Sequence, residues 1–380
     1  MGGEVKEFDG AIDKGLEGVV ACTTKISSIQ DATLTYRGYT IEDLAEHSTF
    51  EEVVFLLWND RLPKKEELEK LRAELVANMT LSSETVTLMK QLPAKTAVPM
   101  DYLRTVVSSL SMQDADSKDI GDDANHRKAM RLAGVMGAIV AGFHRIREGK
   151  DIVKPDASKG VAWNFMYMVK GEKPTDQLAK DFDTCLILHA DHELNCSAFS
   201  ARVTTSSLSD MHSAITSAIG TLKGPLHGGA NEQVMKMLLR IGSIEASKKF
   251  IEDALNAKEK VMGIGHRVYK HGDPRARILR KMSDRLTKAA GMHHFYEMSA
   301  NIDDIMQEKK GLMPNVDFYS ATVYYTMGVP IDLYTPIFAV SRVSGWIAHV
   351  LEQYEHNRIY RPRGRYAGKL DQKWTPVDKR

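Results

Sequence analysis

The stretch GPLHGGANEQVMKMLLRIG, residues 224–242, holds a helix stop, a glycine turn around one histidine and the start of a new helix. An apolar stripe at Leu208, Met211, Ile215, Ile219 and Leu222 ends at Lys223-Gly224. A second stripe begins near Asn231 with Val234, Met235, Leu238 and Leu239, and closes at Gly242. The same period recurs outward in both directions. Thr49 and Glu52 form a capping box ahead of VVFLLW, and Leu68, Leu71 and Leu75 line a helix beyond the Leu62-Pro63 break. Val340, Val343, Ile347, Val350 and Tyr354 line another near the carboxyl end. Strand alternation is confined to SSIQDATLTYRGY, residues 27–39, which predicts a small hairpin. The fold class is therefore mainly α, with at most a small β-hairpin.

A chain of 380 residues exceeds what one core usually fills, which predicts two domains and a cleft between them. Glycines, histidines and basic residues crowd between about 225 and 325, where the second domain is expected. A formal net charge of +1 argues against nucleic acid or a membrane surface as partner. Cys22, Cys185 and Cys196 make no CxxC and no even-numbered framework, as expected of a reducing, cytoplasmic setting. The amino-terminal MGGEVKEFDGAIDKG has no apolar export signal. LAGVMGAIVAGF, residues 132–143, is too short to span a bilayer and reads as a buried helix.

His227 sits in the connection before a helix amino terminus, where the helix dipole disfavours an imidazolium and a neutral ring can donate to a carbonyl. The bland alternative is a solvated histidine in a helix–helix turn. GIGHRVYKHGDPR, residues 263–275, starts like a dinucleotide fingerprint, but Val268 replaces the third glycine and a charged helical run precedes it. It offers instead His266 on a glycine turn, cations at Lys260, Arg267 and Lys270, and Asp273-Pro274 as N-cap and first helical residue, with Arg275 in the first turn. Asp317 reads either as an N-cap, with its pKa lowered, or as a general base, with its pKa raised. HADHELNCSAFSAR, residues 189–202, places His189 and His192 one turn apart beside acidic residues. A metal site is conceivable there, although HExxH is not matched. Arg342 lies off the apolar stripe of its helix, and RIYRPRGR, residues 358–365, supplies arginines suited to clamping a polycarboxylate.

Taken together, LHADHELN, GPLHGGANE, GIGHRVYKHGDPR, NVDFYSA and FAVSR resemble the successive signatures of the citrate synthase family, from about residue 15 to 366. The closest likeness is to dimeric short-form enzymes of Gram-positive bacteria, without the amino-terminal extension of NADH-inhibited forms. The resemblance implies a homodimeric, two-domain helical fold. Its large domain comprises residues 1–225 and 323–380, and its small mobile domain, 226–322, carries His227, His266, Arg275 and Asp317. It implies condensation of acetyl-CoA with oxaloacetate, followed by hydrolysis of citryl-CoA, with no metal or other cofactor. Asp317 would remove the methyl proton, His227 stabilise the enolate and His266 polarise the ketone. His192, Arg275 and Arg342 would hold oxaloacetate, Arg361 would come from the partner subunit, and Lys260, Arg267 and Lys270 would meet CoA.

Three rivals remain at this level. A 2-methylcitrate synthase would use propionyl-CoA on the same scaffold, and one methylene shifts discrimination by only about 1–3 kcal/mol. A metallohydrolase would use His189 and His192. A non-catalytic helical scaffold would show no turnover.

Overall fold

A computed structural model describes residues 14–16, 18–266, 268–269 and 272–380. The expected hairpin gains a third strand: β1 (Ser27–Gln30), β2 (Thr33–Tyr36) and β3 (Tyr39–Thr40) form one antiparallel sheet with Ser27 opposite Tyr36 and Thr35 opposite Thr40. Arg37 and Gly38, with φ of 48° and 87°, make the tight turn that adds β3. Among the described residues, everything else regular is helical. The first ten helices are α1 (Ile41–His47), α2 (Phe50–Asn59), α3 (Lys65–Ala77), α4 (Ser83–Gln91), α5 (Pro99–Leu110), α6 (Asp122–Arg147), α7 (Val161–Lys170), α8 (Asp176–His189), α9 (Cys196–Ser206) and α10 (Met211–Leu222). They are followed by α11 (Ala230–Ile241), α12 (Ile244–Asn256), α13 (Pro274–Ala289), α14 (His294–Lys310), α15 (Val316–Thr326) and α16 (Tyr334–Glu355).

Local signals place most boundaries. Thr49 and Glu52 close the capping box that starts α2, and Asp273 with Pro274 starts α13. Gly242 ends α11 in the left-handed conformation. The apolar run 132–143 is the buried middle of α6, whose polar ends extend it to 26 residues. By length and composition α6 could cross a membrane, yet 72% of its apolar window is buried inside the protein.

The core forms around α16, which packs against α2, α6, α8, α9 and α10. This helix is buried almost all round, so its apolar stripe understates its environment: Ser341, Arg342, Trp346 and His349 are enclosed as well. A second set of contacts joins α13 to α15, α11 to α15 and α12 to α14, and α11 also touches α16.

Gly345 lets α16 approach the segment that leaves α8. A Cβ there would lie 2.4 Å from both the Ala190 carbonyl oxygen and Asp191 Oδ1. Alanine ordinarily favours a helix interior over glycine by about 1 kcal/mol, whereas overpacking a tight contact costs about 1–3 kcal/mol. The clash therefore wins. Gly345→Ala is expected to lower the thermal midpoint in calorimetry; a raised midpoint would show that the contact yields easily.

Candidate active site

The amino terminus of α9 holds His227. Asn195 caps the helix by accepting the Ala198 amide at 3.1 Å, and the Ser197 amide in the first turn donates to His227 Nε2 at 3.2 Å. An amide only donates, so Nε2 is the acceptor and the neutral ring carries its proton on Nδ1. Ser197 Oγ lies 2.8 Å from the same nitrogen. Burial, then the charge of Arg342, push the His227 pKa down to about 4. The ring is thus neutral at pH 7, as expected. The helix terminus that donates to it belongs to α9, across the fold, whereas the sequence pointed to α11, which follows it in the chain.

His266 is held in the opposite tautomer. Its Nδ1 accepts the Val268 and Tyr269 amides at 3.0 and 3.1 Å, which leaves the proton of the neutral ring on Nε2. Burial and Arg275 lower its pKa to about 4. The glycine turn before it is stitched to the start of α15: the Asn315 amide donates to the Gly263 carbonyl at 2.9 Å, and the Gly265 amide donates to the Met313 carbonyl at 2.8 Å. Gly263 has φ of 76°, and a Cβ there would fall 2.7 Å from Val234 Cγ2 and 3.0 Å from Phe318 Cα. Only glycine fits so close to α15 in this conformation.

Asp317 is not an N-cap. Asn315 takes that role by accepting the Asp317 amide at 3.0 Å. The Asp317 carboxyl is buried and its Oδ1 has no hydrogen-bond partner. Burial raises its pKa to about 7, against the lowering effect of Arg275 and Arg342 and with a further upward push from Asp273. Of the two sequence readings, the environment matches that of a general base.

Arg275 and Arg342 are both almost fully buried. Asp273 Oδ1 accepts the Arg275 Nε–H at 2.9 Å and Oδ2 accepts Nη2–H at 2.7 Å. Burial opposes the Arg275 charge, but this bidentate pair raises its pKa overall. Arg342 donates from Nε to the His189 carbonyl at 2.7 Å and stacks 4.6 Å from the Phe338 centroid. Among the described residues no carboxylate is within salt-bridge distance of it, and burial pulls its pKa down to about 10. Asp191 favours its charge from beyond salt-bridge distance, and a buried guanidinium with no carboxylate in contact suits an anionic ligand. His192 completes this side: its ring lies 5.2 Å from that of His266, and its Nε2 is 3.2 Å from the Tyr269 hydroxyl. Burial, then Arg275, His266 and Arg342, hold its pKa well below the usual range.

His189 and His192 do not share a helix face, because α8 ends at His189. His189 Nδ1 lies 2.7 Å from the Cys185 carbonyl, where it donates within the helix, and burial lowers its pKa to about 3. Among the described residues no group of three or more His, Cys, Asp or Glu could hold a metal ion. Arg361 is exposed on the tail after α16, and Lys260 is exposed ahead of the His266 turn. Arg267 and Lys270 lie outside the described residues. The sequence reading gave no site role to Ser197, Tyr269 or Trp346. Their contacts join distant segments and carry no local motif.

The family profile described as "Citrate synthase, C-terminal domain" matches residues 15–363. "Citrate synthase 2" of Bacillus subtilis (strain 168) is 52% identical over 97% of this chain and 99% of its own length. "2-methylcitrate synthase 2" of Corynebacterium glutamicum is 41% identical over 97% of this chain and 98% of its own. Among solved structures, the ternary complex of carboxymethyl coenzyme A and oxaloacetate with citrate synthase from the thermophilic archaeon Thermoplasma acidophilum superposes with a TM-score of 0.92 at 33% identity, covering 97% of this chain and 100% of that one. With the profile spanning nearly the whole sequence and identity above half to a full-length relative, the chain belongs to the citrate synthase family.

Proposed function

We propose that this protein condenses acetyl-CoA with oxaloacetate and hydrolyses the resulting citryl-CoA to citrate and CoA. The observation that carries this reading is a buried Asp317 carboxyl whose Oδ1 has no hydrogen-bond partner, together with two neutral histidines whose amide-held nitrogens leave opposite ring protons to donate. A thioester methyl is a very weak acid, so its removal needs a raised-pKa base and simultaneous stabilisation of the thioester oxygen. Asp317 takes the methyl proton while His227 Nδ1–H donates to the thioester carbonyl. The enolate carbon then attacks the oxaloacetate ketone, and His266 Nε2–H donates to the oxygen that becomes the citryl hydroxyl. Water cleaves the thioester and CoA leaves as the thiol.

Arg275, Arg342 and His192 hold the dicarboxylate, and the buried Arg342 guanidinium, with no carboxylate of the described residues in salt-bridge distance, supports that assignment. Lys260, Arg267 and Lys270 are assigned to CoA phosphates on the family resemblance. Residues 226–322 act as the mobile domain, closing over the substrates to keep water away from the enolate. The working form is a cytoplasmic homodimer that uses no metal or redox cofactor. Exposed Ile359, Tyr366, Leu370 and Trp374 on the tail around Arg361 support its packing on a second copy.

Three measurements test this function. Oxaloacetate-dependent release of CoA thiol is expected to be faster with acetyl-CoA than with propionyl-CoA and to be unchanged by EDTA. A propionyl-CoA preference would make the chain a 2-methylcitrate synthase, and no thiol from folded protein would end the catalytic reading. A second concerns Asp317, whose folded pKa of about 7 exceeds the value near 3.9 of an unfolded aspartate. The folded state therefore binds the extra proton between about pH 4 and 7, and the stability linked to it is lost as pH rises through about 7. Asp317→Asn should lose at least about a hundredfold in turnover yet melt higher than the unmodified protein at pH 8, with the gap closing towards pH 4. A gap that grows in acid would contradict the raised pKa. Third, Asp317→Ala and Arg361→Ala chains, each inactive alone, should regain activity when co-expressed, because one hybrid site then has both residues. An Arg361 serving its own chain would give no recovery.

A further inference from the structure

We propose that Tyr269 is a further substrate-binding residue, whose hydroxyl donates to a carboxylate of the dicarboxylate. This rests on the reading of Arg275, Arg342 and His192 as the clamp that holds that substrate. Tyr269 is 5% exposed and packs against both histidines on this side of the site. Its ring lies 4.6 Å from that of His266 and 5.5 Å from that of His192, and its hydroxyl oxygen is 3.2 Å from His192 Nε2. The Tyr269 amide donates to His266 Nδ1 at 3.1 Å, which anchors the residue's backbone beside the ketone-facing ring. One short segment, residues 266–275, thus brings an imidazole, a phenol and a guanidinium to the site.

The protons decide what the tyrosine and His192 can offer together. A carboxylate only accepts, while a neutral imidazole carries a single N–H and a phenol a single O–H. With the ring proton on Nε2, that N–H is spent on the tyrosine oxygen and the O–H is left to point elsewhere. With the ring proton on Nδ1, Nε2 accepts the O–H, and Nδ1 lies on the backbone side of the ring, where the residue's own backbone engages it. At the Nε2 edge the proton that can turn to an incoming anion is therefore the phenol's in both arrangements. A His192 Nε2–H donating to the oxygen from behind would make that O–H a better donor.

Charge places the hydroxyl with the clamp. Burial raises the phenol pKa, and Arg275 is the largest charged influence on it, ahead of Asp273, Tyr36 and Glu42. The group keeps its proton at neutral pH and sits where the Arg275 charge draws an anion. The bland reading is a buried phenol that needs a partner and finds His192. That reading leaves the Nε2 edge of His192 with no proton for the substrate, which conflicts with the histidine's place in the clamp.

The test is calorimetric titration of the full chain with oxaloacetate, without any acyl-CoA. Tyr269→Phe should raise the oxaloacetate Kd about tenfold or more, as expected for a lost hydrogen bond to a charged group. Its KM should rise in step while kcat changes less than about threefold. In a His192→Ala background Tyr269→Phe should still weaken binding severalfold, because the hydroxyl itself meets the carboxylate. An unchanged or lowered Kd in the single variant would mean that the hydroxyl only occupies His192 until substrate arrives. No further cost in the His192→Ala background would mean that it acts through the histidine, and either result overturns the proposal. Should the phenylalanine variant not fold, a crystal structure of the unmodified chain with oxaloacetate decides. A hydroxyl within about 3.2 Å of a carboxylate oxygen is expected there, and one that stays on His192 alone overturns the proposal. Failure of the underlying reading would appear separately, as an unmodified protein that binds no oxaloacetate or releases no CoA thiol.

Discussion

The Asp273 carboxylate is the interaction on which the site depends. It is 1% exposed and accepts from the Arg275 amide, from Arg275 Nε and Nη2, and from the Val316 amide. A buried carboxylate is tolerable only when its oxygens are satisfied in this way. The bonds tie the start of α13 to the start of α15, so Arg275 and Asp317 are placed by the same anchor. They also engage much of the guanidinium fork of Arg275, and Asp317 Oδ1 is left without a partner. The unusual carboxyl is a consequence of the ordinary one beside it.

The same dry surroundings act with opposite sign on the two kinds of titratable group. Burial lowers the pKa of His227, His266 and His192 and raises that of Asp317. All four move towards their neutral forms. A site built to stabilise charge only as it develops has to hold little of it at rest, and here the resting charges are the Asp273–Arg275 ion pair and Arg342. The stability this forgoes is supplied elsewhere, by α16 and the helices packed around it, whose buried apolar side chains join one large cluster.

Much of this was legible in the sequence. The helices around 224–242 followed from two apolar stripes and a glycine, and Asp273-Pro274 signalled the start of α13 by local chemistry alone. Single motifs gave weaker guidance. Asp317 looked like a cap because capping depends on position, and only the fold shows that Asn315, two residues earlier, has that role. Arg342 looked merely off-stripe, since periodicity reports one face and cannot foresee a helix enclosed on every side. His189 and His192 looked like a pair because spacing assumes a continuous helix, which ends between them. Ser197, Tyr269 and Trp346 were silent: the Ser197 amide meets His227, the Tyr269 hydroxyl meets His192 and the Trp346 indole meets Ser197, and those pairings exist only after the chain has folded.

The amides at His266 explain how its neutrality could survive the substrate. In the free protein burial and Arg275 both disfavour a protonated ring. On the proposed reaction, a dicarboxylate seated on Arg275 and Arg342 would offset their repulsion and draw protons towards every nearby base. For Asp317 the direction is upward as well, towards a stronger base in the ionised fraction that remains. For His266 it would be harmful if charge alone kept the ring neutral. Its Nδ1, however, accepts two backbone N–H groups, from Val268 and Tyr269, and a proton could enter there only by displacing both. Backbone donors do not titrate, so they fix the imidazole in a way that arginine charges cannot, and a bound anion can shift the Asp317 carboxyl while the ketone-facing donor stays as it was.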